Sequence, residues 1–422
     1  MSERVPEGWE IKRLGDYVKL QGGNAFQSSD FRDSGIPIVR ISNIRNNKVD
    51  LSDAVYYEKS TVYKNFLVAN GDILLAMSGA TTGKIGRYLL PFQSYLNQRV
   101  GRFQKLENKS VCMEFIYQLV RSRIFSENTL IDAVGGAQPN ISSSQVEGVF
   151  YKIPPLPEQK KIASILTYVD EVIETTQKQI DKLQDLKKAT MNELLTKGIG
   201  HTEFKDIELG RIPKTWEVVE ISNIKDKIDQ YSFTGGPFGS NLKSEDYTQK
   251  GVRIIQLQNI GDGRFLNNYK IYTSQEKADE LKSCNIFPGD IILSKMGDPV
   301  ARATMIPDFE TRFLMASDGI RLSINKNEYD TKFILESINH FTFRKQAELK
   351  STGSTRKRIG LVELRTLKIA IPPLSEQKKI ASILTSKDIT IEKRRCKLTQ
   401  TQALKKSLMQ DLLTGKVRVQ VH

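Results

Sequence analysis

The sequence predicts an α/β (α+β) protein built from two copies of one domain, separated by two long antiparallel coiled-coil helices in a pseudo-twofold plan. Two observations carry that expectation. Residues 154–166 read PPLPEQKKIASIL and residues 372–384 read PPLSEQKKIASIL, differing only at Pro157 against Ser375. The register then holds without a gap at one constant offset: Asp170, Ile173, Glu174, Leu186, Lys187, Lys188, Met191, Leu194, Leu195 and Thr196 recur as Asp388, Ile391, Glu392, Leu404, Lys405, Lys406, Met409, Leu412, Leu413 and Thr414. That period is far longer than the roughly 20–50 residues of a solenoid unit, so it marks two structural halves.

In chain order, residues 1–153 are expected to form the first domain, 154–200 a central helix, 201–371 the second domain and 372–422 a distal helix. The domains carry short apolar runs at 36–41, 72–77, 253–257 and 290–293, bounded by Gly, Asn and Pro, which reads as strands. Their skeletons correspond. Pro6 and Trp9-Glu10 answer Pro213 and Trp216-Glu217, and Gly71-Asp72-Ile73-Leu74-Leu75 answers Gly289-Asp290-Ile291-Ile292-Leu293. Between such anchors the copies diverge. A shared scaffold with different surfaces suits two modules that read different things.

The helices are marked by spacing. In the first, Ile162, Leu166, Val169, Ile173, Thr176, Ile180 and Leu183 alternate four and three apart, the seam of a coiled coil. In the second the seam is weaker: Ile380, Leu384, Ile391, Leu398, Leu404, Leu408 and Leu412. Pro157 suits a first helical turn and Ser375 an N-cap, while Gly198 and Gly415 are natural stops. About 40 residues at 1.5 Å each gives roughly 60 Å per helix.

Composition narrows the class. Net charge is +14, a balance that supports the nonspecific electrostatic part of nucleic-acid binding. No stretch approaches the roughly 18 uncharged apolar residues of a membrane span, and the start MSERVPEGWE lacks a secretion-signal layout. Cys112, Cys284 and Cys396 are too few and too dispersed for a disulfide framework or a Cys-rich zinc site. A cytoplasmic protein is expected.

Catalytic chemistry is poorly represented. Gly79-Ala80-Thr81-Thr82-Gly83-Lys84-Ile85 departs from a P-loop, with three residues between its glycines and Ile85 at the magnesium position. It reads instead as a glycine-rich turn that presents Lys84 and Arg87, with Lys295 and Arg302 as counterparts. His201, His340 and His422 are the sole histidines, which leaves little for a triad or an HExxH site. Binding chemistry is richer. Arg356, Lys357 and Arg358 form a basic run suited to phosphates, after a stretch at 351–355 expected to be flexible. Gln98, Arg99, Arg102, Gln138 and Asn140 are of the types that read base edges.

Taken together, the two PPL-[PS]-EQKKIA helix starts, the Leu194-Leu195-Thr196 and Leu412-Leu413-Thr414-Gly415-Lys416 ends, Leu209-Gly210-Arg211-Ile212-Pro213 before Trp216, and the Gly-Asp-Ile strands resemble the specificity subunit of type I restriction-modification enzymes over essentially the whole chain. The resemblance implies two target-recognition domains, each reading one half of a split, asymmetric sequence in double-stranded DNA. It implies a helix pair, held by seam residues such as Ile162, Ile180, Ile380 and Leu398, that acts as ruler for the spacer and docks two methyltransferase subunits. Restriction (translocase) subunits would join that core. S-adenosylmethionine, ATP and Mg are then expected on the partners, with none bound by this noncatalytic chain. A stand-alone methyltransferase or nuclease and a coiled-coil adapter are the alternatives.

Overall fold

Four consecutive apolar residues, Ile73-Leu74-Leu75-Ala76, form a strand buried on both faces. Ile73 and Leu75 enter one core, with Trp9, Phe115, Ile116, Ile162 and Leu166, while Leu74 and Ala76 enter another, with Val39, Leu96 and Val100. The counterpart Ile291–Ser294 does the same: Ile291 and Leu293 meet Trp216, Phe333 and Ile380, and Ile292 meets Ile255, Phe313 and Met315. A continuous apolar run, rather than an alternating one, is what a strand covered on both sides requires. Each fully buried Leu or Ile contributes roughly 1.5–3 kcal/mol, so these strands are pinned in register.

The computed structural model describes residues 5–130, 140–353 and 356–421. They divide into two compact units, 1–178 with 396–422, and 179–395. In the first, a six-stranded sheet runs in the order Val18–Gly22, Val100–Lys105, Ile73–Ala76, Ile85–Arg87, Lys48–Val49, Ile44–Arg45. A four-stranded sheet beside it contains the parallel pairing of Ile36–Val39 with Ser94–Leu96. In the second unit, Phe233–Gly235, Gly319–Leu322, Ile291–Ser294 and Ala303–Met305 make a four-stranded sheet, and Val252–Ile255 pairs in parallel with Phe313–Met315 in a five-stranded one.

The long helices span Leu156–Lys197 and Leu374–Leu413, and each contributes its halves to different units. Within the first unit, Ile162 and Leu166 share a core with Leu412 and Leu413, while Asp170 pairs with Lys405 farther along. Within the second, Leu195 shares a core with Ile380 and Leu384, and Lys187 pairs with Asp388 at 2.7 Å. In both cases one helix advances as the other recedes, so the pairing is antiparallel. Of the seam residues, Ile162, Leu166, Val169, Thr176, Ile180, Ile380, Leu384, Ile391 and Leu412 are buried. Ile173, Leu183, Leu398 and Leu408 are half-buried. Leu404 departs from the expected seam: it is 53% exposed and its neighbour Lys405 is buried instead, drawn inward by Asp170.

The repeated EQ dipeptide explains itself at the helix starts. Pro155 and Pro373 act as caps, their carbonyls accepting from Gln159 N at 3.0 Å and Gln377 N at 3.1 Å. Ser375, expected as the cap, therefore lies inside the first turn, two places past Pro373. Gln159 donates to the Pro154 carbonyl and accepts from Cys112 N, both at 2.9 Å. Gln377 does the same with Pro372 and Asp330 N, again at 2.9 Å. Glu158 accepts from the Trp9 indole at 2.9 Å and pairs with Arg418. Glu376 accepts from the Trp216 indole at 3.2 Å and contacts His201 at 2.9 Å. A carboxylate in the first turn also favours the positive helix end. Gly198 and Gly415 end the helices near φ +65° and +74°, as expected of the stops. Among the described residues no helix is long and apolar enough to cross a membrane.

Candidate nucleic-acid interface

In the first unit the chain leaves the strand Ile73–Ala76, turns through residues 77–84 and re-enters as Ile85–Arg87. Gly83 N donates to Ala76 O and Ala76 N to Lys84 O, both at 2.9 Å, which closes the hairpin. Because a strand and not a helix follows Lys84, the strand–loop–helix order of a P-loop is not met here. The turn is instead fastened at its flank. Met77 N donates to Arg99 O at 2.9 Å, Ile141 N donates to Met77 O at 2.8 Å, and Ser78 bridges Asn140. Gln98 N reaches Asn24 O at 2.8 Å. The edge formed by the strand ends of this sheet thus gathers Lys84, Gln98, Arg99 and Asn140, all exposed. Lys84 and Arg99 make no ion pair with a described residue.

The second unit repeats this fastening at the same offset along the chain. Ile359 N donates to Lys295 O at 2.9 Å, as Ile141 does to Met77, and Met296 bridges Arg358. Lys295 N donates to Asp318 O at 2.7 Å, one place past the mate of Arg99. The frame is the same and the side chains are not. Arg358 stands where the first unit has Asn140, and it pairs with Asp318 at 3.0 Å. Lys357 pairs with Glu348. Lys295 turns inward to donate to Ser317 O at 2.9 Å, and burial, then the neighbouring Arg358, pushes its ammonium pKa down. Arg302 is half-buried, its guanidinium 3.2 Å from where a side chain on Gly297 would begin. Arg356 alone of its run is exposed without an ion pair to a described residue.

Two residues of the first unit have their charge answered internally. Arg87 forks onto Glu114, with Nη1 2.7 Å from Oε2, and lies over the Tyr117 ring. Its pKa is raised chiefly by that carboxylate. Arg102 is almost enclosed, donating to Gln21 Oε1 at 2.6 Å and Asn65 O at 3.2 Å beside Asp72. Gln138 and the loop positions Ser354 and Thr355 lie outside the described residues. Sequence reasoning missed Gly23 and Gly236. A Cβ on them would fall 2.1 Å from Leu96 O and 1.9 Å from Ala316 O, so glycine lets the chain pass flush across each edge. The paired Gly-Gly at 22–23 and 235–236 was the available signal. Among the described residues no three His, Cys, Asp or Glu side chains gather as a metal site.

Comparison with known proteins fits this duplicated edge. A sequence model of the type I restriction modification DNA specificity domain matches twice, at residues 6–185 and 213–400. The chain belongs to that family. It is similar to the type I restriction enzyme MjaVIII specificity subunit of Methanocaldococcus jannaschii, 28% identical over 99% of this chain and 94% of that one. The fold matches a chain from a solved type I R-M system, TM-score 0.59 at 17% identity, covering 98% of this chain and 100% of the other. It also matches the S subunit of the M. genitalium type I restriction-modification system, TM-score 0.57 at 15% identity, covering 97% and 98%. As a type I specificity subunit, this chain recognises DNA and is noncatalytic.

Proposed function

We propose that each unit reads one half of a bipartite, asymmetric duplex sequence through its fastened sheet edge. In the first unit Lys84, Gln98, Arg99 and Asn140 face the DNA; in the second, Arg356 and Arg358 do. One observation carries the reading: a single backbone frame recurs at the repeat offset while its tips change chemistry, Asn140 becoming Arg358. Contacts to phosphates position a module on the duplex and contacts to base edges specify, so a shared frame with different side chains suits two different half-sites. The repeated helices dock two methyltransferase subunits and, with them, restriction subunits, and they set the spacer between half-sites. S-adenosylmethionine, ATP and magnesium act on those partners, in the cytoplasm, and this chain binds none of them.

Co-expression with its methyltransferase partner, followed by mapping of methylated bases across host DNA, tests this. A split motif with a fixed gap is expected. Exchanging residues 201–371 for another such module should change one half of the motif only. A change in both halves overturns the one-unit, one-half-site assignment.

A further inference from the structure

The segment that follows Gly235-Gly236 holds an aromatic ring in open solvent. Phe238 is 83% exposed, although a buried Phe ring contributes roughly 1.5–3 kcal/mol to a fold. The ring does not hang on a loose chain. Gly236 N donates to Gly319 O at 2.8 Å, Pro237 is buried on one side of the tip, and Leu242 is buried on the other, in a core with Val252 and Ile254. Between these anchors residues 238–241 make a turn closed by Asn241 N on Phe238 O at 2.9 Å. Gly236 passes 1.9 Å (as its missing Cβ would measure) from Ala316 O, just before Asp318, the partner of Arg358. The tip therefore rises from the same sheet edge that carries Arg358, with exposed Lys243 just beyond it.

The first unit treats the corresponding segment differently. After Gly22-Gly23, Phe26 turns inward and is 9% exposed, its ring 4.8 Å from Tyr57, 5.1 Å from Tyr63 and 5.4 Å from Tyr95. The edge there is polar: Asn24, Gln98, Arg99 and Asn140. Ile228 is still more exposed than Phe238, at 96%, but it lies at the far end of the same sheet, where Asp226 N bonds Ser323 O, away from Arg358. Location and not exposure alone singles out Phe238.

We infer that Phe238 is a specificity-determining residue of the half-site read by the second unit, and that it takes the C5-methyl group of a thymine. Phenylalanine on a thymine methyl is an established way to read the major groove without a hydrogen bond. The tip beside the ring is open: even a Cβ added at Gly239 would meet nothing within 4 Å outside its chain neighbours. The second half-site is read by an apolar contact set among guanidinium groups, the first by polar side chains alone. This rests on the DNA-reading assignment of the sheet edge made above.

The test uses the full chain assembled with its methyltransferase partner and duplexes carrying the mapped motif. Each thymine of the second half-site is replaced in turn by deoxyuridine, which removes only the methyl group. Wild type should lose roughly tenfold in affinity at one position, within the usual cost of one altered base contact. Phe238→Ala should show the same loss on unmodified duplex and no further penalty from deoxyuridine, while Phe238→Leu keeps part of the effect. Discrimination within the first half-site should be unchanged. Unaltered affinity in Phe238→Ala, a loss indifferent to sequence, or a second half-site without a T·A pair would overturn the inference. Absence of any split motif would instead defeat the underlying DNA-reading assignment.

Discussion

In the first unit Asp170 is ringed by Arg121 at 2.8 Å, Gln118 at 3.1 Å and Lys405. In the second, Asp388 meets Lys187 and Lys332, each at 2.7 Å, and Glu336 stands behind them, 3.2 Å from Lys187 and 2.5 Å from Lys332. Asp170 and Asp388, Lys405 and Lys187, and Gln118 and Glu336 are mates at the repeat offset. The first cluster holds two cations and one carboxylate, the second two of each. The consequence shows in the lysines. Burial and then Arg121 push the Lys405 pKa down, and Asp170 does not restore it. Against the same pull of burial, Glu336 and Asp388 raise that of Lys332. Repetition fixes where the ionic cluster sits, and one amide-for-carboxylate exchange decides whether its charge closes.

That difference can be broken most sharply at the carboxylates. Asp170→Ala strands Arg121 and Lys405, whose side chains are only 10% and 11% exposed, and should cost about 3–5 kcal/mol of stability. Urea unfolding of the full chain would show it, and a loss below about 1 kcal/mol would mean that water reaches the cluster. A second asymmetry is read by acid. His340, buried beside Asn192 and Thr342, has its pKa pushed by burial from 6.5 to about 4, and its mate in the first unit is Ser122. Because the folded pKa lies below the unfolded one, its contribution is complete above pH 6.5 and is lost as pH falls from 6.5 toward 4. That loss amounts to about 3 kcal/mol. Hydrogen exchange should find the second unit loosening first over that range, and His340→Asn should remove the slope.

Smaller effects sharpen the contrast. Asp388→Ala leaves Glu336 to hold both lysines and should cost about 1–2 kcal/mol, less than the Asp170 change; equal costs would erase the distinction drawn between the clusters. Both aspartates are held below the usual carboxylate range, Asp170 by Arg121 and then Lys405 and Asp388 by Lys187 and Lys332, each against its burial. Their contributions therefore persist above about pH 4 and are lost only as pH falls further. Gln118→Glu should complete the first cluster, raise the Lys405 pKa and add up to about 1 kcal/mol, which NMR titration of the lysine and thermal melting would register.

The sequence made the long helices and paired strands legible because repetition and apolar periodicity are local signals. Helix ends at Gly198 and Gly415, the buried strand at residues 73–76 and most of the seam follow from them. The misplaced features are long-range. Leu404 has the right spacing for the seam, but Lys405 takes the interior because Asp170, distant in the chain, offers it a partner. The partners that Arg87, Lys357 and Arg358 find, Glu114, Glu348 and Asp318, are likewise not readable from spacing. No periodicity announces such partners. The contrast between Phe26 and Phe238 is equally silent, since both follow a Gly-Gly pair and only the tertiary contacts turn one inward.

The indoles at the two helix starts have a practical consequence. The chain contains two tryptophans, and Trp9 and Trp216 fall one to each unit, each hydrogen-bonded to the first-turn glutamate of a long helix. Both are almost fully shielded from solvent, at 5% and 0% exposure. An indole emits at longer wavelength once water reaches it, so each unit carries its own native optical label at the joint between sheet domain and helix. Single-tryptophan versions of the chain would let fluorescence follow one recognition module at a time as DNA and partner subunits are added, with no dye attached.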